Sequence, residues 1–106
     1  MSEAFFVYVT AGSVAEAERI GRALVEERLA ACANILPGMR SIYRWEGKVE
    51  EASEAVLVLK TARTTLAALT ARVKDLHSYE LPCVVALPIE AGNADYLAWI
   101  ESESRG

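Results

Sequence analysis

The sequence predicts an α+β fold of order β-α-β-β-α-β with a further helix at its end. Three observations predict it. Short runs rich in apolar and β-branched residues stand at residues 5–10, 55–60 and 83–87, each the length of a strand. Two of the segments between such runs repeat apolar residues at helical spacing. A turn signal at Glu46-Gly47 joins two more extended stretches into a long hairpin.

The first run, Phe5-Phe6-Val7-Tyr8-Val9-Thr10, is ended by Gly12 and has the pattern of a strand covered on both faces. Ser13 stands three residues before Glu16, a capping box in which each side chain satisfies an orphan backbone N–H. Ala17, Ile20, Leu24 and Ala31 then share a stripe opposite Glu18, Arg19, Arg22, Glu26 and Glu27, so a helix is expected to about Ala30. From Cys32 the period shifts toward alternation. Ala33-Asn34-Ile35-Leu36 leads into Pro37-Gly38, and residues 39–45 follow with Ile42, Tyr43 and Trp45. Proline cannot donate to a ladder, so this strand should bend or lie at an edge.

Lys48-Val49-Glu50-Glu51 reads as the return arm, with a break near Ala52-Ser53 before the third strand, Ala55-Val56-Leu57-Val58-Leu59-Lys60. Leu66, Leu69, Val73 and Leu76 mark a second one-faced helix, opened by Thr64 or a neighbouring Thr and ended near His77. A polar connection over 77–82 leads to Cys83-Val84-Val85-Ala86-Leu87, a fourth strand of buried type. Asn93 can cap a last helix from Ala94 to about Glu103, with Tyr96, Leu97, Trp99 and Ile100 as its apolar surface.

Each half is thus strand, helix, strand. Right-handed crossovers place the first and third strands centrally in one antiparallel sheet, the second and fourth at its edges, and both main helices on one face. Cys32 and Cys83 then start opposite edge strands, roughly 14 Å apart at about 4.8 Å per strand spacing. A disulfide needs Cα atoms within about 7 Å, so two lone thiols are expected. The arm over 39–45 reaches roughly 23 Å at about 3.3 Å per residue, further than a core of this size covers. An edge that long, carrying Ile42, Tyr43 and Trp45, needs a partner, and a second copy of the chain is the simplest one.

At 106 residues the whole chain, 1–106, is expected to form a single domain. Hydrophobic residues make up 53% and charged residues 25%, which excludes a disordered or low-complexity chain. The net charge of -4 lacks the basic footprint of a nucleic-acid binder. No apolar run approaches the roughly 20 residues of a membrane-spanning helix, so no membrane insertion is expected. Residues 1–4 lack the basic stretch and apolar run of a signal peptide, and two cysteines make no disulfide framework, so a cytoplasmic location is expected.

Chemically informative residues are few. There is no glycine-rich phosphate loop, no H-E-x-x-H and no nucleophile elbow, so no catalysis is expected. His77 is the only histidine, and Cys83 and Glu80 share its connection, a set with the imidazole and thiolate that copper and zinc select. The same residues have plainer roles: His77 can close the preceding helix and either cysteine can be a small buried hydrophobe. Lys60, ending the third strand, can bind an anion or simply stop the strand in solvent. Tyr79 and Glu80 can line a pocket or shape their loop.

Several blocks together are specific. Ala30-Ala31-Cys32-Ala33-Asn34-Ile35-Leu36-Pro37-Gly38 is followed by Ser41-Ile42-Tyr43-Arg44-Trp45-Glu46-Gly47-Lys48, then Leu59-Lys60-Thr61, His77-Ser78-Tyr79-Glu80-Leu81-Pro82 and Ala86-Leu87-Pro88-Ile89. In this order, and on to Asn93 and Trp99, the chain resembles the CutA family of divalent-cation tolerance proteins. The resemblance implies a ferredoxin-like fold and a homotrimer in which long hairpins extend the neighbour's sheet, with Ile42, Tyr43 and Trp45 at the interface. It also implies a cytoplasmic role in tolerance of copper and other divalent ions, with copper as the expected bound metal. Such trimers look like those of the PII signalling proteins, which makes a sensor of a small anionic ligand the alternative. Lys60, Tyr79, Glu80 and Trp45 match family positions near the intersubunit cleft. Ser78 stands where the family typically has proline. Val9 and Leu76 stand where some copper-binding members have cysteine and histidine, which leaves His77 from that set.

Overall fold

The structure is a computed structural model and describes residues 3–105. Its elements are β1 (Ala4–Ala11), α1 (Val14–Glu26), β2 (Cys32–Trp45), β3 (Lys48–Ala62), α2 (Leu66–Leu76), β4 (Val84–Pro88) and α3 (Ala94–Glu103), with a 3-10 turn, Arg63–Thr65, before α2. The sheet runs β2-β3-β1-β4 and every neighbouring pair is antiparallel. The expected placement of central and edge strands is therefore observed.

One face of this sheet carries the main core. Phe5, Val7, Val9 and Ala11 of β1 alternate inward with Ala55, Leu57 and Leu59 of β3, and Ala17, Ile20, Leu24, Leu69 and Val73 of the two helices close over them. Gly21 lets α1 approach the sheet: a Cβ there would lie 3.0 Å from the Ala33 Cβ and 3.1 Å from a Leu57 methyl. A bidentate pair, Arg72 Nε and Nη2 to the two carboxylate oxygens of Glu27 at 2.9 Å each, joins the end of α1 to α2 across the surface.

The other face has less cover. α3 packs over one end, where Ile100 meets Ala4 and Ala31 with Ile89 and Leu97 alongside. Beyond it, Val85 and Leu87 of β4 flank Phe6 and Tyr8 of β1, next to Val56 and Val58 of β3 and Leu36 of β2. Leu36, Val85 and Leu87 are each more than half exposed. The fourth strand takes its expected edge position, but the expectation that it is of buried type is corrected: β4 is exposed from Val85 to Pro88, and Cys83 lies just before it.

Two boundaries differ from the sequence reading. α1 stops at Glu26 because Arg28 turns left-handed (φ 61°), with Leu29 N–H donating to Leu24 O and Arg28 N–H to Val25 O. The Arg28 guanidinium also donates to Ser102 O and Glu103 O, which holds a conformation that costs a non-glycine residue. β3 runs unbroken through Ala52-Ser53, because the irregularity falls on β2, between Leu36 and Met39, where Gly38 takes φ 79°. α2 is opened by a Thr next to Thr64, as expected: Thr65 is its N-cap residue, though it spends its hydroxyl on Ala62 O and the Thr61 hydroxyl rather than on a helix N–H. The Glu46-Gly47 turn is as expected, with both residues at positive φ, the geometry that matches strand twist.

Candidate functional site

Two polar clusters sit at opposite ends of the sheet. The first surrounds His77. Its side chain is 0% exposed. Nε2 lies 2.7 Å from Thr10 O, so Nε2–H donates to that carbonyl, and Nδ1 accepts from Tyr79 N–H at 3.1 Å. Both ring nitrogens are thereby in use. The imidazole stacks at an angle on Tyr79 with 4.6 Å between ring centroids, and ties the connection after α2 to the end of β1.

Glu16 supports the same connection. Its N–H donates to Ser13 Oγ at 3.1 Å, the expected half of the capping box. The reciprocal half moves one residue back: Oε1 accepts from Gly12 N–H at 3.2 Å, while Oε2 accepts from Ser78 N–H at 2.8 Å. Burial raises this carboxyl's pKa, but the Ser78 and Gly12 hydrogen bonds and the nearby His77 outweigh it and hold the group below its ordinary value.

Tyr79 reaches from this connection to β3, donating its hydroxyl to Glu54 Oε2 at 2.7 Å. Burial, then the hydrogen bond to Glu54 and that group's charge, push the phenol far up, so it remains a donor at any ordinary pH. Cys83 feels the same surroundings: burial first, then Glu54, raise its pKa despite a hydrogen bond with Thr10. It is a thiol rather than a thiolate near neutral pH, the weaker form for metal binding and nucleophilic attack. Glu80 is exposed.

The second cluster surrounds Lys60, on the face away from α1 and α2. Its Nζ donates to Asn34 Oδ1 at 3.0 Å, to the Tyr96 hydroxyl at 3.4 Å and to Cys32 Sγ at 3.6 Å. Among the described residues no carboxylate pairs with it. Cys32 is opposite Lys60 in the ladder, and Lys60 opposite Phe6, which pairs in turn with Leu87, whereas Cys83 adjoins the Val9–Val84 pair at the other end. The two thiols are accordingly free.

These positions decide what one chain brings together. Lys60 lies six residues along β3 from Glu54, the partner of Tyr79, which is about 20 Å at about 3.3 Å per residue. Trp45 pairs with Lys48, a further about 20 Å in the opposite direction. A cleft shared by Lys60, Tyr79 and Trp45 therefore does not exist within one chain. Nor do His77, Cys83 and Glu80 form a ready donor set for a divalent ion, since the imidazole is spent on internal hydrogen bonds, the thiol is protonated and Glu80 faces solvent. Among the described residues no three His, Cys, Asp or Glu side chains are gathered as metal donors, and no helix is long and apolar enough to cross a membrane. Glu16, Glu54, Asn34 and Tyr96 are site residues that the sequence reading missed. The alternation Cys32-x-Asn34 was a usable signal for one of them; the pairing of Glu54 with Tyr79 had no local one.

The chain matches the family model "CutA1 divalent ion tolerance protein" over residues 5–103. It is 50% identical over 98 residues to the divalent-cation tolerance protein CutA of Thermus thermophilus, covering 92% of this chain and 95% of that one. Against the Archaeoglobus fulgidus CutA protein it is 47% identical, covering 91% and 93%. The rice chloroplastic CutA 1 protein is 46% identical, and the match covers 93% of this chain but 56% of that longer one. Among solved structures, the Thermus thermophilus protein superposes with a TM-score of 0.94 at 48% identity, covering 96% and 99%. CutA1 from Oryza sativa gives 0.94 at 43% identity, covering 98% and 95%. On sequence and fold alike, this chain belongs to the CutA1 divalent ion tolerance family.

Proposed function

We propose that this protein serves divalent-cation tolerance as a non-catalytic cytoplasmic homotrimer, with copper or another divalent ion as its cargo, taken up between subunits. The observation that carries the reading is the uncovered half of the molecule. A sheet face on which Val85 and Leu87 are more than half exposed, beside the partly buried Phe6, Tyr8 and Val56, is open, and a hairpin whose Ile42 is 70% and Val49 64% exposed projects from it. A two-stranded ribbon alone is marginal in water, and an apolar face of this kind marks an interaction surface. Family membership supports the cation role. Two free thiols support a reducing compartment, although relatives include a chloroplastic protein and one described as periplasmic.

Between subunits, donors from different chains can meet, which the single chain does not arrange. The test is a competitive copper titration of the reduced wild type beside a Val85→Glu/Leu87→Glu variant designed to dissociate. Copper held by the assembly and released by the dissociated chain is expected; equal affinity in both would place the site inside one chain and overturn the reading.

A second reading rests on Lys60, an unneutralised cation among neutral groups on the open face: a sensor of a small anion in the cleft between subunits. A thermal-shift screen with nucleotides and organic acids checks it. A ligand at about 100 times its dissociation constant adds about 2.7 kcal/mol, and this shift should vanish in Lys60→Ala. A screen without any shift, or a shift that survives the substitution, removes Lys60 as an anion site.

A further inference from the structure

The hairpin leaves the body at one ladder rung, and that rung is held from both sides. β1 supports β3 only as far as the Ala11–Ala55 pair. The next rung outward is Met39–Glu54, immediately past the irregularity between Leu36 and Met39. From there to Trp45–Lys48 the two strands run as a ribbon with no β1 beside them. A register irregularity with a left-handed glycine is where a ribbon can bend and twist relative to its sheet, so side-chain contacts at this rung bear on the ribbon's angle.

Two tyrosines from the body grip this rung. Tyr8, on β1, donates its hydroxyl to Met39 Sδ at 3.3 Å. Tyr79, from the connection after α2, donates to Glu54 Oε2 at 2.7 Å. Met39 and Glu54 are cross-strand partners and share a face, so the two bonds act on the same side of the ribbon's base. Tyr79 is itself placed by His77, which receives its N–H and is anchored on Thr10 O. A continuous chain of contacts thus runs from the end of β1, through the histidine and tyrosine, to the root of the hairpin.

We propose that Tyr8 and Tyr79 form a clamp that sets the angle of the projecting hairpin, with His77 as the residue that positions Tyr79. The Tyr79–Glu54 bond is the stronger half, because a charged acceptor makes a stronger hydrogen bond than a thioether, itself a weak acceptor. The consequence for assembly rests on the homotrimer proposed above: a hairpin held at one angle meets its neighbour without first losing orientational freedom.

Hydrogen exchange and sedimentation on the full chain test this together, using Tyr79→Phe, Glu54→Ala and Glu54→Gln. Phe removes only the hydroxyl, and Gln keeps an oxygen acceptor for it. Loss of one hydrogen bond to a charged group corresponds to about tenfold or more in an opening equilibrium. Amide exchange in residues 39–54 should therefore rise about tenfold in Tyr79→Phe and Glu54→Ala, with β1 and α1 unchanged and a smaller rise in Glu54→Gln, which keeps an acceptor but not its charge. Unchanged exchange in the hairpin, or a rise spread over the whole chain, would overturn the clamp. Sedimentation separates the two ideas: a wild type that is not trimeric refutes the assembly, whereas a trimeric wild type with an unaffected hairpin in Tyr79→Phe refutes only the clamp.

Discussion

Glu16 is a single carboxylate that caps a helix and fastens a distant connection. Its bonds to Gly12 and Ser78 place it below the ordinary carboxyl pKa of 4.5. A carboxylate with a folded pKa below its unfolded one contributes stability that is complete above the unfolded value and disappears as the pH falls through the folded value. Glu16→Gln should therefore be less stable than wild type at neutral pH and lose less on acidification below about pH 4.5. Urea unfolding at a series of acidic pH values measures this, and parallel losses in the two proteins would contradict it. The cap itself was legible, because Ser13 and Glu16 are close in sequence. The other partner of Glu16 was not, since Ser78 lies 62 positions away and only the topology brings it near. His77 shows the same limit. Its residue type suggested a metal ligand or a helix-closing group, but not the bonds to Thr10 O and Tyr79 N–H that the fold gives it.

At the scale of elements, α1 packs on the sheet through a glycine. Gly21 is buried, and any side chain there meets Ala33 and Leu57 at once. Gly21→Val should cost about 1–3 kcal/mol through overpacking, read as a lower midpoint of thermal unfolding. An unchanged midpoint would mean that α1 moves away from the sheet at little cost. The order of elements was readable because periodicity reports which face each segment buries, and β1 and the core stripe of α1 follow it closely. Boundaries were harder. The end of α1 depends on Arg28 adopting a left-handed conformation with support from α3, and the length of β3 depends on β2 absorbing the irregularity at Pro37-Gly38. Neither can be read from one segment alone.

The whole molecule is 44 Å in its longest dimension against 25 and 23 Å in the others, an elongation that matches the projecting hairpin. One face of its sheet is sealed by two helices; the other is apolar and only partly closed by α3. The sequence showed the long edge with Ile42, Tyr43 and Trp45, but the open face around Val85 and Leu87 was hidden, because a short apolar run looks the same whether its second cover is a helix or another chain. The candidate ligand residues were legible as types, yet their separation along about 40 Å of β3 emerges only from the register. Self-association is therefore the claim on which both proposed functions depend. Sedimentation equilibrium of the wild-type chain across dilution tests it most directly. The prediction is a single species with three times the 11.5 kDa chain mass; a stable monomer of 11.5 kDa, soluble with its sheet face open, would contradict it.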